Sequence, residues 1–161
     1  MSVIEVYLRQ MQFNRSRTLA TLDEISKMEH PQLVLGWRPG TGRAHIAWHL
    51  AHVAITEELF ATERLFNRPA GFPTLISRYK GGSVPDDQIP SVSELRQWLD
   101  ETRLHLVNAL GTFSDSDLPI VPEPLKERGW SLETTLQVLC WHEAHHQGQA
   151  HAVLNLYKHR A

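Results

Sequence analysis

The sequence predicts an all-α protein, a four-helix bundle. Two observations carry that reading. Four long stretches repeat their apolar residues at mixed three- and four-residue steps, the helical period, and no stretch alternates with the period of two that a half-buried strand needs. All nine prolines fall between those stretches, where their missing N–H and fixed φ break no helix.

The first helix is expected from about Ser2 to Met28, with Val3, Val6, Tyr7, Met11, Leu19, Leu22 and Ile25 on its apolar side and Arg9, Arg15, Arg17 and Glu24 on its wet side. His30-Pro31 ends it, because a residue before proline avoids the α region. Gln32 to Gly42 reads as a loop with a turn at Pro39-Gly40-Thr41-Gly42, and Trp37 is expected to cap the core or line a pocket mouth. The second helix runs from Thr41 or Arg43 to Phe66, mixing Ile46, Trp48, Leu50, Val53, Ile55, Leu59 and Phe60 with His45, His49 and His52. Residues 67–90 are broken by proline and glycine, with one helical turn at Thr74 to Lys80; so long a connection reads as a functional loop or a crossover. Ser91, with Glu94 three residues on, has the capping-box pattern and opens a third helix to about residue 113. After a second irregular connection, Ser131 caps the last helix, which extends to about Tyr157 and places Val138, Leu139, His142, His146, Gln149, Val153 and Leu156 on one face. The uneven connections suggest up-down-down-up order rather than a simple meander.

A chain of 161 residues fits one domain, taken as 1–161. A net charge of −2, from 16 basic and 18 acidic residues, gives no footprint for nucleic acid, and no basic run points to a membrane surface. No apolar run is long enough to span a bilayer, and the first residues have neither the basic nor the apolar region of a secretion signal. A single cysteine, Cys140, excludes an internal disulfide and fits a reducing, cytoplasmic setting. The outlier is histidine: ten residues, six of them in two short clusters.

Those clusters carry the chemistry. His142 and His146 are four apart on one helical face, a spacing that lets two imidazoles hold one metal ion but not complete a site. His45, His49 and His52 fall within roughly 60° of one another on the second helix. Both clusters lie on the apolar sides of their helices, which a bundle turns inward. Burying imidazoles without partners costs about 1–3 kcal/mol each, and a shared ion removes that cost. His52, His142 and His146 are the candidates; His45, His49 and His145 read as core histidines satisfied by backbone or water, and His30, His105, His151 and His159 as surface residues.

Trp48-His49-Leu50-Ala51-His52-Val53 followed by Glu57 or Glu58, together with His142-x-x-His145-His146-x-Gly148-Gln149, resembles the DinB/YfiT-like superfamily of metal-dependent four-helix bundles. The resemblance implies one ligand from the second helix and a pair from the last. The pair maps onto His142 and His146. The single ligand maps onto His52, with His49 as the competing alignment. Gln147 stands where relatives often carry arginine. The resemblance implies a divalent ion, nickel or zinc first and iron or manganese after them, and a dimer. It also implies thiol S-transfer with a low-molecular-weight thiol, or hydrolysis, on a small-molecule substrate. A non-catalytic metal-binding bundle or sensor is the alternative.

Three imidazoles with open positions suit catalysis, since the ion can bring a bound water toward pKa 7 or hold a thiolate for attack. The Thr74 to Ile89 loop and Trp37 are the expected walls of the pocket, with Arg78 and Lys80 as solvated loop residues or receivers of a carboxylate. Glu57 or Glu58 is either an orienting partner for a ligand ring or a solvent-facing carboxylate. Cys140, about 160° from His142 around the helix, reads as a packed thiol.

Overall fold

The computed structural model describes residues 1–160. Six α-helices follow in order: α1 Val3–Ser26, α2 Pro31–Gly36, α3 Ile46–Leu59, α4 Pro73–Tyr79, α5 Val92–Leu110 and α6 Leu132–Lys158. A π-helical turn, Phe60–Arg64, continues α3, and two 3₁₀ segments, Asp115–Asp117 and Glu123–Arg128, lie between α5 and α6. No strand occurs among the described residues. The four long helices α1, α3, α5 and α6 are the predicted bundle. Proline starts both short ones, at Pro31 and Pro73, where its fixed φ suits a first helical turn; the loop expected at Gln32 therefore opens inside α2. The capping box at Ser91 forms with Glu94, and an equivalent one at Ser2 forms with Glu5. Ser131 caps α6 by accepting from the Thr134 amide.

Pairings along the helices fix their directions. Asn14 meets the Cys140 carbonyl and Glu24 meets Lys158, so α1 and α6 run the same way. His49 meets His146 and His52 meets His142, so α3 runs against α6. Arg96 pairs with Asp23 while Asp115, past the end of α5, receives the amides of Val3 and Ile4, so α5 runs against α1. α3 contacts both α5 and α6, and α1 contacts both as well, placing α1 and α3 on opposite corners.

Every residue of α3 from Ile46 to Leu59 is buried. A helix apolar almost all round belongs in the interior, and α2 and α4 cover the flank that α5 and α6 leave open. Elsewhere the wet and dry sides differ from the sequence expectation. Val3, Val6, Leu104, Val107 and Leu156, expected on apolar faces, are exposed, while Ile4 and Leu154, not among the expected apolar residues, are buried. On α1 the buried face passes through Asn14, Arg15, Thr18 and Thr21. Arg15, expected on the wet side, is only 2% exposed.

Its burial is possible because it is paired twice. Arg15 Nε donates to Glu143 Oε1 at 2.7 Å and Arg15 Nη2 to Glu57 Oε2 at 2.9 Å. Arg103 Nε donates to Glu57 Oε1 at 3.1 Å, and its Nη2 reaches both Glu57 and Glu143. The Leu99 carbonyl and the Thr18 hydroxyl complete the set. Each of the four bundle helices contributes one charge, and two guanidiniums balance two carboxylates. This layer separates two apolar cores, one around Leu22, Leu50, Leu95 and Leu154 and one around Met11, Phe60, Leu106 and Leu136. Glu57 is thus a structural ion-pair partner and not a solvent-facing carboxylate. Glu58 is buried too: it accepts from the Gly71 amide at 2.7 Å and meets His105 Nδ1 at 2.7 Å, pinning the chain beyond the π-helical turn.

Candidate metal centre

His142 and His146 project from α6 one turn apart, as their spacing predicts, and α3 brings His52 against them. The three ring centroids form a near-equilateral triangle with sides of 4.9, 4.6 and 4.6 Å. His52 Nε2 lies 3.0 Å from His142 Nε2. One nitrogen from each ring falls within 4.8 Å of the others, and no other such cluster occurs among the described residues.

The His52 ring is set by its surroundings. Its Nδ1 is 2.6 Å from the Tyr79 carbonyl, which can only accept, so Nδ1 carries the proton and Nε2 presents a lone pair to the cluster. Trp48 stacks flat on the ring at 4.7 Å and is itself held by Nε1–H donation to Ser83 Oγ at 3.1 Å. This is the arrangement in which a backbone acceptor orients a ligating imidazole. The rest of the cluster is kept neutral by burial. Burial, with the neighbouring imidazoles adding to it, takes His146 down to about 2; the same causes take His142 and His49 down to about 4. Burial lowers His52 as well, outweighing the Tyr79 hydrogen bond. Neutral imidazoles keep the lone pairs that a divalent ion needs. Tetrahedral coordination at 2.0–2.1 Å sets ligand nitrogens about 3.3 Å apart, close to the His52–His142 separation. The donor set therefore fits a divalent ion.

The other histidines separate clearly. His45 is the N-cap of α3: its Nδ1 accepts from the Trp48 amide at 3.0 Å, which leaves Nε2–H to donate to the Asp86 carbonyl at 3.0 Å. His145, expected in the core, is exposed and stacks on Trp141 at 4.8 Å, because its position on α6 turns it away from α3. His49, expected to be satisfied by backbone or water, instead sets its Nδ1 3.1 Å from His146 Nδ1. It abuts the cluster from behind, and the signal for it was its place on the same seam as His52. Cys140 Sγ–H donates to the Tyr7 carbonyl, and burial pushes its thiol up to about 11, as a packed thiol requires.

A cavity of about 650 Å³ opens beside the cluster, with His52 and His142 in its wall. Ile76, Lys80 and Gly81 line it, as the loop was expected to. Trp37 does not: it packs edge-on to Tyr157 at 5.8 Å, and Trp130 and Trp141 take the role assigned to it. Arg78 is committed to Asp86 through two hydrogen bonds of 2.9 Å.

Fold and cluster together define an all-α bundle whose interior histidines fit a metal-binding protein. The family profile of the DinB superfamily matches residues 10–150, and the chain belongs to that superfamily. Neither the curated proteins nor the solved structures contain a match to this chain.

Proposed function

We propose that the protein is a metal-dependent enzyme with a mononuclear site held by His52, His142 and His146, acting on a small molecule. The observation that carries this is the His52 tautomer fixed by the Tyr79 carbonyl, in a trio of neutral imidazoles beside a cavity. A bound divalent ion would supply Lewis acidity, suited to hydrolysis or to S-transfer from a low-molecular-weight thiol. The chain's own residues do the rest. Tyr79 and Trp48 hold the His52 ring, His49 supports His146, and the α6 backbone keeps His142 one turn from His146. Phe60, Trp130 and Trp141 give the cavity an apolar side. Of the ions that the family resemblance implies, nickel and zinc bind neutral nitrogen ligands more tightly than iron and manganese, which are the further choices. A homodimer and a cytoplasmic location, the latter consistent with one unpaired cysteine, belong to the same reading. No helix among the described residues is long and apolar enough to cross a membrane.

The test is elemental analysis of protein purified without a histidine tag, followed by assays of the loaded form with generic thiol acceptors and esters. About one ion per chain with thiol or ester turnover is expected. One ion with no turnover of either kind supports the non-catalytic metal-binding bundle or sensor instead.

A further inference from the structure

We propose that the cavity beside the three histidines is a receptor for a small molecule carrying an oxyanion on an apolar stem. That this ligand is the substrate rests on the metal-centre reading; that the cavity binds it does not. Three cations converge on the cavity: Arg64, Lys80 and Arg128. Among the described residues none of them has a carboxylate within ion-pair distance, whereas Arg15, Arg38, Arg78, Arg96 and Arg103 all do. Among the described residues Glu63 is the one carboxylate in the wall, and it is exposed.

Arg64 is the most telling of the three. It is half-buried, its guanidinium lies 4.5 Å over the Phe60 ring, and among the described residues it finds no hydrogen-bond acceptor. Burial lowers its pKa, the charge of Arg128 lowers it further, and the exposed Glu63 offsets only part of this, so the two guanidiniums of the cavity wall act on each other without a paired anion. Arg128 lies 5.0 Å over Trp130, a second cation stacked on a second cavity aromatic. Stacking presets each guanidinium while leaving its N–H edge free for a carboxylate or phosphate.

An independent feature lies at the same place. Arg64 ends the π-helical turn, where the Leu65 amide bonds five residues back to the Phe60 carbonyl. Such turns are rare and cluster at functional sites, because the extra residue re-aims the side chains that follow. Here the turn carries Phe60, Glu63 and Arg64 to the cavity alongside His52 and Thr56. Trp141, a large apolar side chain 61% exposed on the cavity edge, supplies a surface for the stem.

The experiment uses chelator-treated full-length protein, so that an anion cannot be captured by a bound metal. Four probes with one apolar body are titrated by calorimetry: 4-phenylbutyrate, 3-phenylpropyl phosphate, 4-phenylbutyramide and 4-phenylbutylamine. The two anions are expected to bind at least about tenfold tighter than the amide and the amine; whichever of them binds better identifies carboxylate or phosphate as the ligand head. Arg64→Met and Arg128→Met should each weaken the anions several-fold, and the double variant should bind all four alike. Arg78→Met, which removes a cation already paired with Asp86 outside the cavity, should leave the preference intact. Equal binding of all four probes to the wild-type chain, no binding of any, or an anion preference that survives the double variant would overturn the proposal. The wild-type comparison needs no variant to fold. An anion preference in a protein that never binds metal would leave this inference standing while the metal-centre reading fell.

Discussion

Two polar clusters sit in the interior of this bundle, and they are built on opposite principles. The charged layer of Arg15, Glu57, Arg103 and Glu143 is closed: two positive and two negative groups, one from each long helix, satisfy one another. The histidine cluster is open. Its rings are neutral, His52 aims a lone pair at its neighbours, and the cavity beside it has His52 and His142 in its wall. A cluster that completes its own hydrogen bonds holds helices in register; one that leaves lone pairs pointing at a common centre is ready for something added. The two are also adjacent, since Glu143 follows His142 directly and Glu57 lies little more than a turn beyond His52. The charged layer thus clamps the same two helices whose spacing sets the histidine triangle.

Single truncations should separate the clusters most strongly. Arg15→Ala or Glu143→Ala leaves an unpaired buried charge and should cost about 3–5 kcal/mol in urea unfolding, whereas Asp87→Ala, at an exposed pair with Arg38, should cost less than about 1 kcal/mol. If the Arg15 variant unfolded like the Asp87 variant, the layer would have no structural role. His142→Ala and His146→Ala should do the reverse: little change in metal-free stability, but loss of metal affinity by at least about 100-fold. His49→Ala, which removes only the support behind His146, should weaken metal by about 10–100-fold, read by competition with a chromophoric chelator.

Acid should also resolve the two clusters in the metal-free protein. In the unfolded chain the imidazoles titrate near 6.5, while burial holds His49 and His142 at about 4 and His146 at about 2. The unfolded state therefore takes up protons first, and stability, full above about pH 6.5, should fall as pH drops from there toward 4. Glu57 resists desolvation because Arg15 and Arg103 hold it below the usual carboxylate range, so its contribution lasts to lower pH and is lost only beneath about 4.5. Unfolding followed against pH should show the upper phase shrink in His146→Ala and the lower phase persist.

The same contrast explains what was legible in the sequence. The helices followed from periodicity and prolines, and the His142–His146 pair from a four-residue spacing, because both are local signals. His52 needed a second helix, yet its own cluster and the family resemblance marked it. The charged layer was not legible: Arg15 and Glu143 are 128 residues apart, and an arginine on α1 looks like any solvated arginine until three other helices bring it partners. His49 and His145, both expected as core residues satisfied by backbone or water, ended in different places, His49 against His146 and His145 on the surface, because which side of a histidine-rich helix meets its neighbour depends on packing.

X-ray absorption at the metal edge of untagged, metal-loaded protein tests the central claim most directly. The account predicts three imidazole nitrogens at about 2.0–2.1 Å for zinc, with imidazole scattering reduced in His52→Ala, His142→Ala and His146→Ala alike. A spectrum without imidazole scattering, or one unchanged in all three variants, would contradict it.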